Sequence, residues 1–227
     1  MIRLIYLGHS CFMLTNGQET LIFDPYINGN PGVGDLIPES IQADYVLVSH
    51  AHADHLGDAV DICTRNDAVL ISTYEVGNLC RSQGVTRFHT GHVGGRGNFP
   101  FGYLRFTPAL HGAGVAGGLA CGFYLNYHRV GIYFAGDTAL FSDMALLGKL
   151  EKIDYALLPI GDNYTMGPAD AALAVEMLKP KVVVPMHYNT FELIRQDPHL
   201  FKAAVEERGL AAVEVLEPGQ HLELTGC

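Results

Sequence analysis

The chain is 227 residues long, 48% of them apolar, and 24 acidic against 14 basic side chains leave a net charge of −10. That size fits a single folded domain over 1–227, and the acidic balance argues against a nucleic-acid partner, because phosphate binding needs a basic surface. No apolar run nears the ~20 residues of a bilayer span, and the start, Met1-Ile2-Arg3-Leu4, has no signal-peptide layout, so a cytoplasmic protein without membrane contact is expected.

Residues 4–7, 11–14 and 20–23 predict three short strands, with Asn16-Gly17 supplying a hairpin turn. Asp24-Pro25 ends the third, and Asn-Gly-Asn-Pro-Gly-Val-Gly at 28–34 predicts a loop. The run Tyr45-Val46-Leu47-Val48 predicts a buried strand. Helices are expected over 55–65 and 75–83, with a strand at 69–72 between them. Residues 91–98 lack the Gly-x-Gly-x-x-Gly spacing of a nucleotide cradle and predict a flexible loop at a pocket rim, with His92 as a lining candidate. Strands dominate again at 103–108, 121–127 and 130–134. The last part mixes helices at 140–150, 169–178 and 199–208 with strands at 155–158 and 182–184 and a final β segment.

An internal echo runs through this order. Leu21-Ile22-Phe23-Asp24 leads to Asp44-Tyr45-Val46-Leu47-Val48, and Ile132-Tyr133-Phe134-Ala135-Gly136-Asp137 leads to Asp154-Tyr155-Ala156-Leu157-Leu158, each followed by a polar loop. Two related β-rich halves facing each other with helices outside make a four-layer αβ/βα sandwich, of α/β (α+β) class.

The chemistry concentrates directly after the 45–48 run. His50-Ala51-His52-Ala53-Asp54-His55 puts four ligand-type side chains into six positions, on the turn leaving a strand. Imidazoles and a carboxylate on a rigid base are what a zinc-like ion needs, and alternate residues of a turn serve two ions at once. Further donors must come from distant strand ends. His111 follows the 103–108 strand, Asp137 closes the 132–136 run, and His187 closes Val182-Val183-Val184-Pro185-Met186. Functional loops of α/β proteins collect at such ends. His9, in Gly8-His9-Ser10, is either a hydrogen-bonded turn residue or a pocket residue. Asp162 fits a helix or turn cap better than a catalytic group. Cys11, Cys63, Cys80, Cys121 and Cys227 are odd in number, scattered and without a Cys-x-x-Cys pair, so buried free thiols are expected.

The ordered set His-x-His-x-Asp-His, His, Asp, His resembles the metallo-β-lactamase-fold hydrolases over nearly the whole chain. More closely it resembles their small branch related to ascorbate-6-phosphate lactonase, through Leu7-Gly8-His9-Ser10, Phe23-Asp24-Pro25, Pro159-Ile160-Gly161-Asp162-Asn163-Tyr164-Thr165-Met166-Gly167 and Pro185-Met186-His187-Tyr188-Asn189-Thr190. The resemblance implies two divalent ions, zinc or manganese, with iron or nickel as alternatives. It assigns His50, His52 and His111 to one, Asp54, His55 and His187 to the other, and Asp137 as the bridge. Asp24 matches a non-ligand aspartate that orients the ligand loop. A hydroxide shared by the two ions would attack an ester, lactone or phosphoester of a small metabolite. Asp54 would help orient it, and Asn163 and Tyr188 are nominated as donors or substrate contacts. Two ions would make the pocket locally positive, so an anionic small-molecule substrate is compatible with the acidic chain. Related lactonases imply assembly into a homo-oligomer.

Three other functions compete. A nuclease or phosphodiesterase on this fold usually carries a large inserted RNA-gripping domain, for which there is no room here. An iron-dependent oxygenase is the second, and the diiron proteins of the fold replace the first histidines with carboxylates, whereas His50, His52 and His55 are intact. A structural metal site is the third, but such sites are closed and usually built on cysteine.

Overall fold

The computed structural model describes residues 1–226. The first half builds β1 (Ile2–Gly8), β2 (Cys11–Thr15), β3 (Thr20–Phe23), β4 (Tyr45–Leu47), β5 (Val69–Thr73) and β6 (Phe88–Gly91). The second builds β7 (Arg96–Phe99), β8 (Gly102–Pro108), β9 (Cys121–Tyr127), β10 (Val130–Phe134), β11 (Tyr155–Pro159), β12 (Val182–Met186) and β13 (Ala212–Val213), and β14 (His221–Leu224) closes the chain. The sheets run β14-β1-β2-β3-β4-β5-β6 and β13-β12-β11-β10-β9-β8-β7.

The echo in the sequence is an echo in topology. In the first sheet β1, β2 and β3 pair antiparallel, then β3 to β6 pair parallel. In the second β8, β9 and β10 pair antiparallel, then β10 to β13 pair parallel. Asp24 and Asp137 occupy matching places, just past β3 and β10. Strand β14 crosses back to pair with β1, so the C-terminal segment is tied into the first sheet.

Strand sequences that are apolar throughout follow from burial on both faces. Leu21, Phe23, Leu47 and Ile71 point toward the second sheet, where Phe23 meets Phe134 with ring centroids 5.1 Å apart. Ile22, Val46, Val48 and Leu70 point the other way. There they pack on Ile62 and Cys63 of α2 (Ala59–Asn66) and on Val76 and Cys80 of α3 (Tyr74–Ser82). Outside the second sheet lie α4 (Met144–Leu150), α5 (Pro168–Leu178) and α6 (Pro198–Glu206), contributing Met144, Ala171, Ala174, Val175 and Phe201 to the core. The result is the mixed α/β sandwich with helices flanking two sheets. Among the described residues no helix is long and apolar enough to cross a membrane.

Several expectations change in detail. The helix predicted over 55–65 is two: a single turn, α1 (Ala53–Leu56), and then α2. Gly57 separates them at φ 40°, where a Cβ would run into the Pro25 carbonyl. The glycine-rich stretch 91–98 is not a loop at a pocket rim. It ends β6, turns, and starts β7 on the opposite sheet, and Gly91 is small because the Phe106 ring lies against it. His92 lies near Tyr74, with ring centroids 6.0 Å apart. The helix expected from 140 starts at Met144, and the final β segment is two strands on different sheets. Cys11, Cys63, Cys80 and Cys121 are free and buried, and Cys227 lies outside the described residues.

Candidate metal centre

The strand-end loops are stitched together by backbone hydrogen bonds. The loop after β4 joins that after β8 through Ala51 N–H to the Ala113 carbonyl at 2.8 Å, and the loop after β12 joins that after β1 through His187 N–H to the His9 carbonyl at 2.9 Å. Met166 N–H reaches the Thr138 carbonyl at 2.9 Å, tying the loops after β10 and β11. Three residues just past strand ends, His9 (φ 57°), Asp24 (φ 40°) and His187 (φ 54°), sit in the left-handed region. That conformation is uncommon for non-glycine residues and turns the chain sharply at a strand end.

Two donor groups result. His50 Nε2 lies 2.9 Å from His52 Nδ1, which lies 3.2 Å from His111 Nε2. Three nitrogens bound to one zinc-type ion at ~2.0–2.1 Å stand roughly 3.3 Å apart, and these spacings match that arrangement. The second group joins His9, Asp54, His55 and His187, whose donor atoms all lie within 4.8 Å of one another. Asp137 spans both: its Oδ1 is 3.2 Å from His55 Nε2, and its Oδ2 is 3.0 Å from His187 Nε2 and 3.5 Å from His111 Nε2. His55 Nε2 and Asp137 Oδ1 are buried and make no hydrogen bond. Buried polar atoms left this way are costly, and a divalent cation is a partner that both accept. The residues present therefore fit two metal ions.

The protons on these rings are ordered from behind. The buried Asp24 carboxylate accepts from Ser49 N–H at 2.7 Å and from Ser49 Oγ–H at 2.6 Å, and it receives His55 Nδ1–H at 2.7 Å. With its own proton given to Asp24, the Ser49 hydroxyl is left to accept from His50 Nδ1–H, 2.9 Å away. Both imidazoles thus hold a hydrogen on Nδ1 and aim Nε2 inward, the atom that would serve as a ligand.

Burial, reinforced by the neighbouring His55, pulls the His50 imidazole down to about 2. Burial likewise lowers His9 to about 4, against its hydrogen bond to Asp54. At His55 burial is outweighed by the Asp137 and Asp24 carboxylates, which hold the ring well above its usual range. At Asp137 the burial penalty is outweighed by His55 and His187, which hold its carboxyl low.

A cleft of about 350 Å³ opens over the donors, lined by His52, Asp54, His111, Asp137 and His187 and by Tyr164, Phe191 and Leu193. Asn163 is exposed and outside this lining, and Tyr164 beside it takes the place at the mouth. Tyr188 lines a separate cavity of about 370 Å³ with Tyr6, His9 and Glu217; burial pushes its hydroxyl up to about 12. His9 lines that second cavity and reaches the cleft's Asp54, with Nε2 3.2 Å from Asp54 Oδ2 and Nδ1 2.8 Å from Thr190 Oγ1. Asp162 is a turn residue whose Oδ1 accepts from Asn163 N–H. Ser49, Phe191 and Leu193 were not singled out from the sequence, and Thr190 stood there only as the end of the 185–190 motif. Ser49 precedes His50 directly, which was the available signal, whereas Phe191 and Leu193 look like ordinary loop residues.

Two facing sheets that carry paired His/Asp clusters at one shared edge define a metal-dependent hydrolase of the metallo-β-lactamase type. A β-lactamase superfamily domain model matches residues 22–188. A UPF0173 metal-dependent hydrolase of Natranaerobius thermophilus is 47% identical over 223 residues, covering 98% of this chain and 100% of the relative. Another from Desulforamulus reducens is 47% identical over 231 residues, again 98% and 100%. Among solved structures, Igni18, a metallo hydrolase from the archaeon Ignicoccus hospitalis, superposes with a TM-score of 0.91 at 37% identity over 99% of each chain. The chain belongs to the β-lactamase superfamily, in its branch of UPF0173 metal-dependent hydrolases.

Proposed function

We propose that this hydrolase cleaves an ester, lactone or phosphoester bond of a small metabolite at two divalent cations, zinc or manganese. The observation that carries the reading is Asp137, whose Oδ1 faces His55 and whose Oδ2 lies within 3.5 Å of both His187 and His111, a donor from each group. When bound, such a pair supplies Lewis acidity and a water whose pKa is lowered toward ~7. His50, His52 and His111 would hold one cation, and Asp54, His55 and His187 the other. Asp24 and Ser49 keep His55 and His50 in the ligand tautomer. Asp54 is the carboxylate of the set that stays partly open to the cleft, and its Oδ2 is turned by His9, so it is placed to orient the attacking water.

A cleft of about 350 Å³ suits a small molecule. Among the described residues no lysine or arginine lines it, which supports a metabolite over a nucleic-acid strand. The open face above the donors favours catalysis over a structural site. The lactonase resemblance supports the ester and lactone members of the class and assembly of a single-domain chain into a homo-oligomer. The test is metal analysis of the purified protein with a panel of lactones, carboxylic esters and phosphodiesters, with and without a chelator. Two equivalents of metal and chelator-sensitive turnover are expected. Bound metal without turnover of any member would overturn the reading.

A further inference from the structure

The lip of the cleft is apolar where the floor is ionic. Tyr164, Phe191 and Leu193 line it and are 53%, 40% and 64% exposed. Single exposed apolar side chains are ordinary, but three gathered on one cleft mark a binding surface. Tyr164 comes from the loop after β11, and the other two from the loop after β12.

These side chains are presented, not merely left over. The segment 189–196 is closed by Asn189 N–H to the Ile194 carbonyl at 2.9 Å and by Gln196 N–H to Asn189 Oδ1 at 2.9 Å. A 3-10 turn, Glu192–Ile194, buries Ile194 completely and leaves Leu193 outside. Phe191 packs edge-on against His9, with ring centroids 5.5 Å apart, and His9 in turn lies 4.2 Å from the His187 ring. The lip is thus anchored to the donor groups.

Charge points the same way. Among the described residues the lining holds two carboxylates, Asp54 and Asp137, and no lysine or arginine. An anionic tail beyond the reach of the cations finds no partner on the lip, whereas an alkyl or aryl group covers three exposed apolar side chains.

We infer that the substrate carries an uncharged apolar or aromatic group that seats against Tyr164, Phe191 and Leu193 while its scissile bond lies over the donors. This rests on the hydrolase reading above and selects within it against phosphate-tailed substrates. Phe191 and Leu193 are then specificity-determining residues.

The experiment is calorimetric binding to the zinc-loaded protein of three hydroxamates: acetohydroxamate, octanohydroxamate and 6-phosphonohexanohydroxamate. The octanoyl compound should bind at least tenfold tighter than the acetyl compound, and the phosphonate should gain nothing over acetyl. In the Phe191→Ser/Leu193→Ser double variant the octanoyl-to-acetyl ratio should fall to within threefold. Equal binding of octanoyl and acetyl compounds, a tighter phosphonate, or an unchanged ratio in the double variant would overturn the apolar lip alone. If none of the three binds, the metal-centred reading fails and the inference with it.

Discussion

Replacing Asp24 by Asn tests the claim that ring protons are set from behind. The side chain keeps its volume, and Asp24 is fully buried, so no cavity opens. The change is in hydrogen-bond sense. Oδ1 faces Ser49 N–H, while Oδ2 faces both Ser49 Oγ and His55 Nδ1. An amide with its NH2 in the Oδ2 place puts a donor against His55 Nδ1–H. The reverse orientation puts a donor against Ser49 N–H. Either way one buried donor pair is left facing, at about 1–3 kcal/mol. The His55 escape is to move its proton to Nε2, which then points at Asp137 and blocks a cation. Partners of this kind typically cost 10–100-fold in metal affinity, which is about 1.4–2.7 kcal/mol. Zinc competition against a chromophoric chelator reads that loss directly. An Asp24→Asn variant that binds zinc within twofold of the parent would refute the tautomer argument.

Three further outcomes follow from the same geometry. Asp137→Ala should lose most bound metal by elemental analysis, and retention of two full equivalents would sink its placement between the donor groups. Burial raises the Cys63 thiol to about 12 and the Cys80 thiol to about 11, while an unfolded thiol ionises near ~8.5. Their contribution to stability is therefore complete below that value and is lost as pH rises toward 11. Urea midpoints should fall between pH 8 and pH 10.5, and rapid labelling of both thiols in the folded protein at pH 9 would contradict this. Gly57→Ala forces a Cβ at φ 40° into the Pro25 carbonyl, and should cost about 1–3 kcal/mol in a denaturant melt; an unchanged midpoint would remove the steric account of the break between α1 and α2.

The two-sheet architecture was legible because both faces of the parallel strands are buried, which writes continuous apolar runs at 45–48, 132–136 and 182–186 into the chain. The breaks were less legible. Gly57 interrupts a helical pattern for a reason held in Pro25, and Gly91, in the stretch where flexibility was expected, is packed closely against the Phe106 ring. Short edge strands such as β6 and β13 carry little periodic signal of their own.

For the site, local sequence was enough to nominate donors, because ligand chemistry needs particular side-chain types and strand ends are where they converge. It determined His50, His52, Asp54, His55, His111, Asp137 and His187 as candidates. Tertiary structure decided how they meet. Asp24 acts on His55 through a hydrogen bond spanning 31 residues, and His9 reaches Thr190 across 181. Those contacts, with the apolar lip of Tyr164, Phe191 and Leu193, depend on which loops the two sheets bring to one edge. Hydrogen bonds and burial are properties of neighbours in space, so their partners carry no mark in the linear order.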